Sequence, residues 1–180
     1  MDALECIKTR RSVRRYTEEV ISKETMDEII DIAKMAPTWK NSQTLRYVVV
    51  SDRALIDKIK DECILSHEGN GKTLASCNTL VVLAQVNGRC GYERDGSFTT
   101  SKGAGWEMFD AGIAAQTFCL AAHEKGYGTC IMGIFDDKKV AEAVSLPEGQ
   151  TVAALISIGR PKFIPDPVPR KETGELVKYM

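Results

Sequence analysis

Four arginines and a serine stand close together near the start of the chain, at residues 10–16, which read RRSVRRY. A guanidinium group is charged at any physiological pH, and its donors form a planar fork that matches the oxygens of a phosphate. Such a cluster can hold a phosphorylated ligand. The same residue types also occur in exposed basic runs and on nucleic-acid-binding surfaces, so the rest of the sequence has to decide.

The overall charge argues against a nucleic-acid-binding surface. The chain has 180 residues, a formal net charge of -1 and a pI of about 6.2, with 43% hydrophobic and 27% charged residues. Nucleic-acid-binding domains are usually basic. A local arginine cluster on a neutral background therefore favours a small anionic ligand over a polyanion, and no nucleic-acid partner is expected.

Composition also bears on location and on metals. The N-terminus shows no signal-peptide pattern, and the longest apolar run, at residues 80–86, is too short to span a bilayer. We expect a cytoplasmic protein without a membrane partner. The six cysteines include no C-x-x-C pair, and there are only two histidines, so the sequence predicts buried reduced thiols and no metal site.

The hydrophobic pattern predicts helices that alternate with strands in one layered domain over residues 1–180. Residues 66–73 and 87–105 are polar and glycine-bearing and are predicted as loops, and the proline-containing residues 161–180 as an extended tail. Helices are expected over residues 2–9, 22–36, 52–63, 106–125 and 136–144. Strands are expected over residues 47–50, 79–86 and 151–158, and residues 129–134 are expected to form a short strand or an extended loop.

Several familiar motifs are absent. Residues 66–73 read SHEGNGKT, which resembles a phosphate-binding P-loop, but Ser66 stands where the pattern needs glycine and a helix precedes it. Neither the dinucleotide pattern G-x-G-x-x-G nor the hydrolase elbow G-x-S-x-G occurs. No residue is nominated as a nucleophile.

A second polar cluster lies at residues 36–43, which read APTWKNSQ, between a predicted helix and a predicted strand. The amides of Asn41 and Gln43 both donate and accept hydrogen bonds, which suits the edge of a heterocycle. Alternatively, the segment is a turn whose polar side chains satisfy its own backbone. The residues alone leave both interpretations open.

The two clusters, taken with further motifs, resemble the FMN-dependent nitroreductase family over nearly the whole chain. The further motifs are DAGIAAQ at 110–116, GYGTCIMG at 126–133, LPEG at 146–149, IGRP at 158–161 and PRK at 169–171. The resemblance implies an α+β fold, a sheet flanked by helices, in a homodimer with FMN at the subunit interface.

The resemblance also implies which residues bind the cofactor. The arginine cluster and the C-terminal tail would hold the phosphate and ribityl chain, the 37–43 segment would pass beside the ring, and the 131–133 segment would lie against it. Lys72 is a further candidate. The implied cofactor-binding residues are Arg10, Arg11, Ser12, Arg14, Pro37, Thr38, Asn41, Gln43, Ile131, Met132, Gly133, Arg160, Arg170 and Lys171.

The activity implied by the resemblance is an NAD(P)H-dependent flavin oxidoreductase. NADH or NADPH would reduce the flavin, and a nitroaromatic, quinone or related small acceptor would then reoxidise it in a ping-pong scheme with no catalytic side chain. Two alternatives stay open: another flavin reaction on the same fold, such as dehalogenation or flavin cleavage, and a non-catalytic redox module. Trp39 either walls the acceptor pocket or packs at the interface.

Overall fold

The computed structural model describes all 180 residues. Four strands form one sheet, six helices pack around it, and a short seventh helix lies in the exposed C-terminal tail. The helices are α1 (Ala3–Thr9), α2 (Lys23–Ala33), α3 (Arg53–Glu62), α4 (Glu68–Ser76), α5 (Gly105–Glu124), α6 (Asp137–Ala143) and α7 (Thr173–Leu176). The strands are β1 (Leu45–Val50), β2 (Thr79–Val86), β3 (Gly128–Met132) and β4 (Gln150–Gly159).

The sheet has the order β1-β2-β4-β3, and every neighbouring pair is antiparallel. The central strands β2 and β4 are covered on both faces, which explains their nearly continuous apolar sequences. Side chains alternate across β2: Val81 and Leu83 pack in the core beneath α2 and α5, whereas Leu80 and Val82 pack in the core beneath α3 and α4. The predicted α+β class is confirmed.

Three helix starts follow directly from the sequence. The side chains of Ser22, Asp52 and Asp136 accept hydrogen bonds from backbone N–H groups in the first turns of α2, α3 and α6. Each satisfies a donor that has no partner within the helix. These caps fix where the helices begin, and all three starts lie within one residue of the predicted ones.

The structure differs from the predictions in three places, one of which is the tail predicted as extended, where Thr173–Leu176 form α7. Helix α2 ends at Ala33 rather than at residue 36, and the 66–73 segment, predicted as a loop, is largely helix α4. The two glycines of α4 weaken its intrinsic helix propensity. Burial decides instead, because Leu74 is fully buried and the His67 ring accepts a hydrogen bond from the Asn70 N–H at the helix start.

The 87–105 segment connects β2 to α5 and is anchored in the core by Cys90, which is fully buried. All six cysteines are free and buried, as predicted. No group of His, Cys, Asp or Glu side chains is arranged to hold a metal ion. None of the helices combines the length and the apolar character that crossing a bilayer requires.

Candidate functional site

The arginine cluster at residues 10–16 is held in place by contacts with β3. The backbone N–H of Val13 donates to the carbonyl oxygen of Thr129 at 2.9 Å, and Ser12 forms an isolated parallel bridge with the same residue. Val13 and Tyr16 are both buried in the core beneath α3 and α4. These two anchors leave the arginine side chains at the surface.

Gly128 permits this close approach. A Cβ atom on Gly128 would lie 2.5 Å from Cγ2 and 2.6 Å from Cβ of Val13, well inside van der Waals contact. Only glycine allows the segment to pair with β3 at this distance. The position of the arginine cluster therefore depends on a glycine more than a hundred residues further along the chain.

The cluster opens onto a cavity of about 480 Å³ between the end of α1 and the C-terminal tail. The segment after α1 supplies three arginines, and the tail supplies a fourth. Asp166 is the single acidic residue in the lining. The lining residues are Ile7, Lys8, Arg10, Arg11, Ser12, Arg14, Pro165, Asp166, Pro167, Val168 and Arg170.

The cavity carries positive charge that no carboxylate pairs with. None of its four guanidinium groups forms an ion pair. Arg11 donates only to the backbone carbonyls of Lys8 and Arg10, at 2.7 and 2.9 Å. Like charges repel when they converge, and a bound anion offsets that repulsion. The residues present therefore fit a phosphate group.

Arg160, one of the predicted cofactor-binding residues, does not line this cavity. Its Nε donates to Glu19 at 3.0 Å, its Nη1 donates to the Lys125 carbonyl at 3.0 Å, and its guanidinium lies 4.0 Å from the centre of the Tyr127 ring. These contacts give Arg160 a structural role between the end of α5 and β4.

The candidate cations Lys72 and Lys171 also lie apart from the cavity, and so does Arg15, which was not a candidate. Arg15 donates to the Lys72 carbonyl at 3.1 Å, Lys72 pairs with Glu68 on α4, and Lys171 is exposed in the tail. Of the predicted phosphate-binding residues, the structure therefore brings together Arg10, Arg11, Ser12, Arg14 and Arg170.

The second polar cluster forms a tight turn before β1. Residues Trp39–Asn41 form a short 3-10 helix, and Lys40, Asn41 and Gln43 have φ angles of 47°, 55° and 51°. Such left-handed conformations are uncommon outside glycine and persist only where the surroundings enforce them. Three neighbouring residues in this state mark the segment as strained.

Two side chains fix the ends of this turn. The hydroxyl of Thr38 accepts a hydrogen bond from the Gln43 N–H at 3.1 Å, and the carboxylate of Asp110 accepts one from the Trp39 N–H at 2.8 Å. The side chains of Asn41 and Gln43 are exposed. Their amides can therefore face a ligand, as the heterocycle interpretation requires.

Aromatic rings continue from this turn onto α5. The Trp39 ring centre lies 4.7 Å from that of Trp106, which in turn lies 5.4 Å from that of Phe109. Phe109 is 58% exposed and, with Met108 and Ile113, lines an open groove on the outer face of α5. The contact with Trp106 favours the packing interpretation of Trp39.

The third predicted group lies at the end of β3. Ile131 is 46% exposed, Met132 is buried, and nothing lies within 4 Å of the place that a Cβ of Gly133 would occupy. The open space at Gly133 leaves its backbone accessible to a flat ligand. The Met132 side chain belongs to the core, so only its backbone could contact a ligand.

The groups of candidate residues lie at opposite edges of the sheet. The arginine cluster flanks β3, while the turn that contains Asn41 leads into β1, and β2 and β4 lie between these two strands. Three strand spacings amount to about 14 Å. Thr38 and Gln43 line a separate, smaller cavity of about 170 Å³. Within one chain, the two groups do not share a cavity.

Lys8 and Asp166 line the arginine cavity but were not predicted. Lys8 lies in the last turn of α1, two residues before Arg10, and this closeness in sequence to the arginine cluster could have indicated it. No local signal identifies Asp166, because its position depends on how the tail folds back over α1.

Comparison with known proteins places the chain in a family. The family model described as the nitroreductase family matches residues 7–70 and 65–160. These ranges cover most of the chain, from the arginine cluster to the end of β4. The chain belongs to the nitroreductase family, and the resemblance noted in its sequence is confirmed.

Individual relatives agree with this assignment. The chain is 26% identical over 181 residues to an FMN reductase (NADPH) of Bacillus subtilis, covering 94% of this chain and 70% of the relative. A nitroreductase family protein of Clostridium novyi NT is 27% identical, with a TM-score of 0.77, covering 90% of this chain and 86% of that one. An FMN-dependent nitroreductase of Clostridium difficile R20291 is 25% identical, with a TM-score of 0.72, covering 96% and 93%.

Proposed function

We propose that this protein binds FMN and transfers electrons from NADH or NADPH to a small organic acceptor, such as a nitroaromatic compound or a quinone. The observation that carries the proposal is the arginine cavity, whose charge and size suit the phosphate end of FMN. Family membership supports the same cofactor, since relatives are named as an FMN reductase (NADPH) and an FMN-dependent nitroreductase.

In this proposal, the chain's own residues bind FMN and orient it. Arg10, Arg11, Arg14 and Arg170 hold the phosphate through charge-assisted hydrogen bonds. Asn41 and Gln43 hydrogen-bond the polar edge of the ring or the ribityl chain, and the backbone at Gly133 approaches the ring closely. FMN, when bound, supplies the electron-transfer chemistry, so the reaction needs no nucleophilic side chain. No catalytic residue is assigned.

The active form that we propose is a homodimer. The exposed apolar face of α5 is contiguous with the turn at residues 37–43 through Trp39 and Trp106. Pairing this face between two copies would place the turn of one chain at the interface, where it could complete a site that contains the arginine cavity of the partner. The separation of the two groups within one chain supports such a composite site.

The six free thiols are consistent with a reducing compartment, which supports a cytoplasmic location.

Anaerobic reduction tests the function directly. The purified protein is reconstituted with FMN and mixed with NADH or NADPH, and the flavin absorbance is followed. We expect at least one nicotinamide to bleach the flavin, and a subsequent addition of a quinone or nitroaromatic compound to restore its absorbance in a separate phase.

Two results would contradict the proposal. Failure to bind FMN would remove its basis altogether. Bound flavin that neither nicotinamide reduces would instead favour a non-catalytic redox module or a different electron donor.

A further inference from the structure

Two acidic side chains of α5 are buried, and each accepts hydrogen bonds from outside the helix. Asp110 accepts from the Trp39 N–H at 2.8 Å and from the Cys90 thiol at 3.0 Å, both through Oδ2. Glu107 accepts from the Gly88 N–H at 2.7 Å. Burying a carboxylate costs free energy unless donors satisfy it, so both side chains depend on these hydrogen bonds.

One of the two partners of Asp110, the Trp39 N–H, lies at one end of the strained turn. Trp39 begins the 3-10 helix, and the preceding residue, Thr38, provides no side-chain cap at that start. Without Asp110, the backbone N–H of Trp39 would be one of the unsatisfied donors at a helix start. Asp110 therefore caps this turn from a different element, 71 residues away.

Cys90 supports the carboxylate. Burial, with a further effect from the hydrogen bond to Asp110, raises the pKa of the Cys90 thiol to about 12. The sulfur therefore keeps its proton and acts as the donor. Because Cys90 is fully buried, it restrains the carboxylate from the side of the 87–105 segment.

We propose that Asp110, supported by Cys90, is a positioning residue that holds the 38–43 turn in its left-handed conformation, so that Asn41 and Gln43 face the flavin. The inference rests on the proposed function, because it assigns the turn to cofactor binding. Asp110 acts through the backbone of the turn and does not contact the cofactor.

The test compares Asp110→Asn with Glu107→Gln. Both substitutions remove a buried carboxylate from α5 with little change in shape, but Glu107 bonds Gly88 and lies apart from the turn. Two quantities are measured for each variant: amide hydrogen exchange at residues 38–43 in the apoprotein, and the dissociation constant for FMN.

We expect Asp110→Asn to accelerate exchange at the Trp39 and Gln43 amides about tenfold, since a neutral acceptor forms a hydrogen bond roughly half as strong as a charged one. The FMN dissociation constant should rise at least threefold. Glu107→Gln should accelerate exchange at Gly88 and leave both the turn and the FMN dissociation constant unchanged.

Unchanged exchange at the turn in Asp110→Asn would overturn the proposal. So would faster exchange with unchanged FMN binding, or an equal loss of FMN binding in both variants. If the wild-type protein does not bind FMN at all, the proposed function fails, while the exchange data still show whether Asp110 holds the turn.

If Asp110→Asn does not fold, Cys90→Ala provides the test. Removing the thiol donor leaves the carboxylate with the Trp39 N–H as its remaining partner. We expect the same two changes at smaller size, and no change in either quantity would overturn the proposal.

Discussion

Arginines that look alike in the sequence differ sharply in what they contact in the fold. Arg10, Arg11 and Arg14 line the cavity, whereas Arg15 donates to a backbone carbonyl of α4 and Arg160 is held by Glu19 and Tyr127. The sequence predicts an anion site from the density of guanidinium groups. The resemblance already leaves Arg15 out of the site. It does not set Arg160 apart, because the role of Arg160 depends on a carboxylate and a ring that only the folded chain brings near.

Substitution of Gly128 tests how the 10–16 segment is held. Gly128→Ala would place a methyl group against Val13 and push the 10–16 segment away from β3. We expect the free energy of unfolding to fall by about 1–3 kcal/mol, the usual cost of overpacking. FMN affinity should also fall, because Ser12 and Arg14 flank Val13. Urea denaturation and FMN titration measure the two effects.

Gly71→Ala is the matched control. Gly71 lies within α4, and nothing approaches within 4 Å of its missing Cβ, so alanine there should stabilise the protein slightly. Adding Val13→Ala to Gly128→Ala should recover part of the lost stability by relieving the contact. If Gly128→Ala has the same free energy of unfolding and the same FMN affinity as the wild type, the 10–16 segment is not held against β3 through Gly128.

The helices and strands with strong periodic patterns were predictable from the sequence, and those with weak patterns were not. Strands β2 and β4 and helix α5 have long apolar patterns that leave little ambiguity, and polar caps mark three helix starts. Helix α4 was missed because its sequence favours a loop while its burial against α3 favours a helix. Tertiary contacts overrode local propensity there.

The outer face of α5 gives a prediction about assembly. Phe109→Glu places a charge in the exposed apolar groove, which should separate a dimer into monomers because burying an unpaired charge is costly. Flavin binding should weaken with it if sites are composite. Sedimentation velocity and FMN titration measure both effects.

Leu65→Glu serves as the control, since Leu65 is similarly exposed but lies between α3 and α4. It should change neither the assembly nor flavin binding. A wild-type protein that is monomeric and still binds FMN fully would contradict the composite site.

At the scale of the whole molecule, the sequence predicts the α+β class but not the placement of the site. Strand order cannot be deduced from the periodicity of individual strands, so nothing local indicates that β1 and β3 are the two edges. The consequence is functional: the arginine cavity and the Asn41 turn lie three strands apart. What looks like one set of residues along the chain is divided in the fold between the two edges of the sheet.

We infer that the arginine cavity binds the phosphate of FMN. Calorimetric titration of the apoprotein with FMN and with riboflavin tests this inference most directly. The two ligands differ only in the phosphate. We expect wild-type protein to bind FMN at least about 100-fold more tightly than riboflavin, because several charge-assisted hydrogen bonds depend on that group.

Arg10→Ala should weaken FMN binding by about 10- to 150-fold, the loss of one such hydrogen bond, and leave riboflavin binding unchanged. Arg15→Ala, which removes an arginine that does not line the cavity, should leave both unchanged. Equal affinity of the wild type for FMN and riboflavin, or an equal loss of both in Arg10→Ala, would contradict the assignment of this cavity to the phosphate.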